Sequence, residues 1–161
     1  MKSKTIIKKF NLKLIILECV ALIFIISGIK RLYVAYNAEI FDAIERRDWK
    51  VYESLTDLDG PLFLASHVYW ILTGMIIGVI AVGLINWKNK FGIINSIAVL
   101  ILTLGISMTG FFSDGIVNRY FNYFCGIFAD NTLITFLIGS SLLILVGILI
   151  LWKTISVYKT R

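Results

Sequence analysis

The sequence predicts an all-α membrane protein, a four-transmembrane-helix bundle with short amphipathic helices on its outer face. Three observations predict it. Of 161 residues, 58% are apolar and one is proline, and mean hydropathy is +0.86; a water-soluble globule has a different composition. Four apolar stretches, residues 14–29, 62–87, 91–112 and 132–152, approach or exceed the ~20 residues that a helix rising 1.5 Å per residue needs to cross a ~30 Å hydrocarbon core. Charged residues lie almost wholly between and beyond these stretches, Glu18 being the exception. The chain reads as a single integral membrane domain with external segments 30–61 and 113–131.

The first stretch, LIILECVALIFIISGI, is the shortest and follows five lysines. No small-x-small cleavage site precedes Lys30-Arg31, so it reads as a retained helix. Glu18 sits where lipid attachment at Cys19 would need a small residue. In segment 30–61, Ile40, Phe41, Ile44, Val51, Tyr52 and Leu55 recur at helical spacing. Asp42 and Arg46 form an i, i+4 pair with the acid first, and Asp48 suits the N-cap of 49–55. TDLDGP, 56–61, is a turn. The segment therefore predicts two short amphipathic helices, either a lid over helix ends or a contact surface. Trp49 and Tyr52 beside Arg46 and Arg47 support the second use.

Between spans two and three the turn WKNK is short enough to impose an antiparallel hairpin. Gly74-x-x-x-Gly78, Gly105-x-x-x-Thr109 and the Gly139 and Gly147 face of span four have the small-residue spacing that lets membrane helices approach closely, within one bundle or between copies. Ten basic and no acidic residues flank the termini and this turn. The other side carries Lys30, Arg31, Arg46, Arg47, Lys50 and Arg119 against nine acids. The positive-inside rule then puts both termini in the cytoplasm, and the small size with no N-x-Ser/Thr acceptor suggests a bacterial inner (plasma) membrane. This distribution accounts for the net charge of +6 without a nucleic-acid partner.

Residues 114–130, DGIVNRYFNYFCGIFAD, pose the one enzymatic question. Asp114, Gly115, Arg119, Gly126 and Asp130 fall in a pattern that resembles part of the signature of the CDP-alcohol phosphotransferases. That resemblance would imply divalent metal ions binding a diphosphate. The family's first aspartate is Phe111 here and its last is Ile134, Asn118 replaces its alanine, and Arg119 and Gly126 stand too close together. Two carboxylates are few for a divalent ion carrying a diphosphate, and the reading is rejected. Val117, Tyr120, Phe121, Phe124 and Phe128 instead share one helical face, opposite Gly115, Asn118, Arg119, Asn122 and Gly126. This predicts an interfacial amphipathic helix. With Trp49 and Tyr52, its Arg119, Tyr120, Tyr123 and Phe124 would form an external recognition surface.

Three intramembrane polar residues remain. Glu18 lies about five residues, roughly 7 Å, inside span one, where an ionisable group marks a functional hypothesis. Asn95, at similar depth in span three, is its expected hydrogen-bond partner; snorkelling toward Lys13 is the other reading. His67, the one histidine, reads as a hydrogen-bonded structural residue or a contact for Asp114. Cys19 and Cys125 belong to opposite halves of the bilayer and do not pair. No metal-ligand, phosphate-loop or nucleophile-elbow motif occurs, so neither enzyme nor cofactor is expected.

The expected function is non-enzymatic binding, as an accessory subunit or a guard or immunity-type protein recognising a partner at the outer face or within the membrane. The layout resembles that of immunity proteins to pore-forming toxins. Besides the lipid bilayer, a protein partner or homo-oligomer is expected. The alternative is a small oligomeric channel or transporter component using Glu18 and Asn95.

Overall fold

The computed structural model describes residues 10–112, 116–128 and 131–159, apart from the side chains of Leu64, His67 and Lys159. Among the described residues every regular element is an α-helix: α1 Leu12–Tyr36, α2 Ala38–Glu45, α3 Trp49–Leu55, α4 Gly60–Lys88, α5 Ile93–Met108, α6 Ile116–Gly126 and α7 Thr132–Lys159. Three helices, α1, α4 and α7, are long and apolar enough to cross a membrane. The predicted third span is shorter than expected. Its helix α5 has 16 residues, about 24 Å against a ~30 Å core.

Local chemistry explains where α5 stops. Gly110 takes a left-handed φ of 71°, which a residue with a Cβ adopts at a cost. Ser107 Oγ donates to the Leu104 carbonyl at 2.8 Å and Thr109 Oγ1 to the Ile106 carbonyl at 2.7 Å. These hydroxyls add side-chain donors to carbonyls of the last turn.

Helix α1 is the axis of the structure, packing against α7, α4 and α5. Asn11 caps it, its side chain accepting from the Leu14 amide at 3.2 Å. Instead of ending near Ile29, α1 runs on through Lys30 and Arg31 to Tyr36. Both cations are buried, so the polar segment begins beyond them. Ile15, Leu22 and Ile26 of α1 meet Ile71, Met75 and Val82 of α4 and Val99 of α5 in the main core.

Small residues set how closely the helices approach. A Cβ on Gly28 would stand 2.8 Å from the Ser140 carbonyl oxygen, and one on Gly147 2.7 Å from that of Ala21. These contacts also fix the antiparallel register of α1 on α7. Gly74 and Gly78 of α4 face Ile29 and Leu22 of α1, whereas Gly105 faces open space. α5 runs in the same direction as α1: the Asn11 amide donates to Asn95 Oδ1 at 2.9 Å near one end, and Lys30 Nζ donates to the Phe112 carbonyl near the other.

At the loop end, α2 and α3 fold into a platform around Tyr33, Ala43, Tyr52 and Phe63. Asp48 caps α3, accepting from the Val51 amide at 3.2 Å. Thr132 Oγ1 donates to Asp42 Oδ1 at 2.7 Å and ties α2 to the start of α7.

Candidate functional site: a buried cation pair beneath α6

Lys30 and Arg31 are adjacent, and only 7% and 1% exposed. Arg31 Nη1 donates back to the Ser27 carbonyl at 3.0 Å. Its Nη2 faces α6, reaching the Asn118 carbonyl at 3.0 Å, Asn118 Oδ1 at 2.9 Å and Asn122 Oδ1 at 2.6 Å. The i, i+4 spacing places both asparagine side chains on one side of α6. Phe121 lies between them in sequence, its ring centroid 5.4 Å from the guanidinium carbon. Lys30 Nζ also reaches Asn118 Oδ1 at 3.3 Å. Each of these acceptors on Arg31 is neutral, and Arg31 Nε is buried without a partner. A buried charge needs such bonds because its desolvation is otherwise too costly; here α6 supplies most of them.

This arrangement turns α6 relative to the expected orientation. Asn118 was assigned to the water-facing side but is buried, because the cations of α1 draw its oxygen inward. The inward face is Asn118, Phe121 and Cys125. Phe121 meets Phe24, with ring centroids 5.3 Å apart. Cys125 packs on Gly139 of α7, where a Cβ would stand 2.7 Å from the Cys125 Cβ and 2.9 Å from its Cα. Cys125 is a free, fully buried thiol rather than a surface group available to join two chains. Burial pushes this thiol above its ordinary range, partly offset by the neighbouring Arg31. Arg119 is exposed, as are Tyr120 (69%), Tyr123 (76%) and the edge of Phe124. Asp114, Gly115 and Asp130 lie outside the described residues.

On the platform, Trp49 is 54% exposed but Tyr52 is buried. The Tyr52 hydroxyl donates to the Leu58 carbonyl at 2.6 Å, and its ring meets Phe63 and Trp49 edge-on. Tyr52, expected on the outward recognition surface, is instead part of the platform's core. A cleft of about 380 Å³ opens beside α2, with Tyr36, Glu39, Asp42 and Asn131 among its lining.

The polar residues expected within the spans are rearranged as well. Glu18 Oε2 accepts from Asn86 Nδ2 at 3.1 Å, not from Asn95. Asn86 Nδ2 also donates to Ser96 Oγ at 3.1 Å, while Asn86 Oδ1 is buried without a partner. Asn95 serves the helix ends instead, accepting from the Asn11 amide and donating to the Phe91 carbonyl. Long side chains on a helix lean toward its N-terminus, which brings Glu18 down to Asn86 on the antiparallel α4. His67 is on α4, but its side chain and Asp114 lie outside the described residues. Among the described residues no group of three or more metal-ligating side chains occurs.

Sequence reasoning missed the cation pair because Lys30 and Arg31 follow an apolar run and read as flanking charge. The one signal for it was the Asn118-x-x-x-Asn122 pair around an aromatic. Compared with protein-family models, curated proteins and solved structures, the chain has no significant match.

Proposed function

We propose that this chain is a small polytopic membrane protein with a non-enzymatic binding role, serving as an accessory subunit or a guard or immunity-type protein. In this reading α1, α4, α5 and α7 form a four-segment bundle in a cell inner membrane, with the termini cytoplasmic. The charge distribution supports that orientation. With Lys30 and Arg31 buried, the loop end retains Arg46, Arg47, Lys50 and Arg119 against nine acids, which sharpens the positive-inside asymmetry.

The observation that carries the binding role is the platform of α2 and α3. It is a packed aromatic cluster presenting Trp49 outward, with Val51, Leu55 and Leu58 also exposed. Exposed aromatic anchors on a rigid base are the usual energetic centres of protein recognition. Residues 37–61 hold seven acids and three bases, so the partner such a surface fits carries basic residues beside an apolar one. The test is capture from native membranes in mild detergent through a C-terminal tag, with mass spectrometry of the eluate. A stoichiometric partner is expected, released by Trp49→Ala and weakened as salt rises. A homo-oligomer alone, indifferent to Trp49→Ala, would refute the reading. It would favour the channel alternative, for which the buried Glu18–Asn86–Ser96 group is the starting point.

A further inference from the structure

Aromatic residues mark two levels on the bundle. On α4, Trp70 and Trp87 are both exposed; seventeen residues apart, they are about 25 Å apart along the axis. Trp152 of α7 is exposed near the terminal end, and Tyr36 and Tyr69 near the loop end. Such paired girdles lie at the two interfaces of a bilayer whose apolar core is ~30 Å thick.

Helix α6 can be placed against the loop-end girdle. Tyr33 stacks on Trp70 with ring centroids 5.6 Å apart, and Arg31, two residues earlier on α1, holds α6 through Asn118 and Asn122. Tyr36 is five residues beyond Arg31, or about 7 Å further along the axis. Cys125 rests on Gly139, seven residues inside α7 and so about 10 Å below its start. Phe121 reaches down to Phe24, the midpoint of α1. The helix therefore lies at or just beneath the girdle, above the end of the short α5. Where α5 breaks off, Ser107, Thr109 and Lys30 supply donors to backbone carbonyls, as non-helical backbone at membrane depth requires.

Opposite the buried Asn118 and Cys125 and the half-buried Phe121, the outward face of α6 is Ile116, Tyr120, Tyr123 and Ile127, each more than half exposed. Their i, i+4, i+7, i+11 spacing makes one stripe. Helix α7, against which α6 packs, also exposes Leu133 and Leu137. We infer that this stripe is covered by phospholipid at the headgroup and acyl-chain boundary, with α6 lying in the membrane plane and Arg31 and Lys30 holding it from within. Tyrosine suits that boundary, since its ring is apolar and its hydroxyl polar. Recognition of a protein partner then belongs to the α2–α3 platform, and Tyr120 and Tyr123 are lipid contacts.

The inference rests on the membrane-spanning reading, and one experiment separates the two. Single nitroxide labels are placed at Ile116, Tyr123, Leu145 and Asp57 in separate variants of the full chain in phosphatidylcholine–phosphatidylglycerol liposomes. Collision with oxygen, which partitions into lipid, is compared with collision with a water-soluble nickel chelate. Leu145 is exposed on α7 and Asp57 is exposed in the turn after α3. Labels at 116 and 123 are expected to favour oxygen several-fold over the label at 57, at shallower depth than the label at 145. Nickel preference at 116 and 123 with oxygen preference at 145 would overturn the inference alone. Low collision with both reagents at 116 and 123 would put protein there and overturn it too. Nickel preference at 145 would overturn the spanning reading with it.

Discussion

Replacing Arg31 tests whether the buried guanidinium fastens α6. Arg31→Met keeps length and apolar bulk but removes three hydrogen bonds to α6, at 3.0, 2.9 and 2.6 Å, and the cation–π contact with Phe121. Hydrogen bonds to charged groups contribute about 1.5–3 kcal/mol each in soluble proteins, but polar contacts between membrane helices average only about 0.6. With ~0.5–2 kcal/mol for the cation–π term, the docking of α6 should weaken by about 2–4 kcal/mol. Apart from Arg31 and Lys30, α6 is held chiefly by α7, so it should detach locally while the bundle stays folded. Cys125, fully buried beneath it, reports the opening. Alkylation by iodoacetamide in detergent, read by mass spectrometry, should accelerate roughly 30- to 700-fold at 1.4 kcal/mol per decade. Cys19, buried in the main core, is the internal reference and should not change. In the native protein burial holds the Cys125 thiol above its ordinary range, so its alkylation should rise with pH later than that of a free thiol. In the variant the loss of Arg31 removes the effect that partly offsets burial, so the profile of the docked form should shift to still higher pH. An unchanged Cys125 rate would refute the latch, and equal acceleration at Cys19 would show that Arg31 supports the whole bundle.

Other consequences can be measured directly. Glu18→Gln keeps an oxygen for Asn86 Nδ2 and should leave the thermal midpoint in detergent nearly unchanged. Glu18→Ala leaves Asn86 Nδ2 with Ser96 Oγ alone and opens a cavity, lowering stability by about 1–3 kcal/mol. Gly147→Ala forces a Cβ to within 2.7 Å of the Ala21 carbonyl oxygen and should cost about 1–3 kcal/mol. Gly105→Ala meets open space and should be neutral or stabilising by up to ~1 kcal/mol; equal effects of the two on thermal unfolding would contradict the α1–α7 register. Tyr52→Phe removes the bond to the Leu58 carbonyl and should loosen the platform by about 0.5–1.5 kcal/mol, visible as faster amide exchange over α3.

Much of the architecture was legible in local signals. Length and apolarity identify α1, α4 and α7 without reference to anything they touch. Asp48 announces the start of α3, and the heptad-like recurrence of Ile40, Phe41 and Ile44 announces α2, because capping and amphipathicity act within a few residues. The end of α5 was harder. LTLGISMTGFF is apolar enough to continue, and what stops it is a glycine turn with hydroxyls closing on carbonyls three residues back, which hydropathy does not register.

The buried groups depended on the tertiary structure. Lys30 and Arg31 are flanking charges by sequence, and they become interior because Asn118, Asn122 and the Phe112 carbonyl, more than eighty residues away, converge on them. Glu18 chose Asn86 over Asn95 because α4 runs antiparallel to α1 and the lean of both side chains brings them together. Tyr52 looked like a contact residue and became core once α3 folded onto Phe63. Composition and periodicity by themselves determined which segments are helical and apolar, since those follow from each residue and its near neighbours. Which polar groups are hidden was decided by packing, since the free energy of burying a charge depends on partners that only the fold supplies.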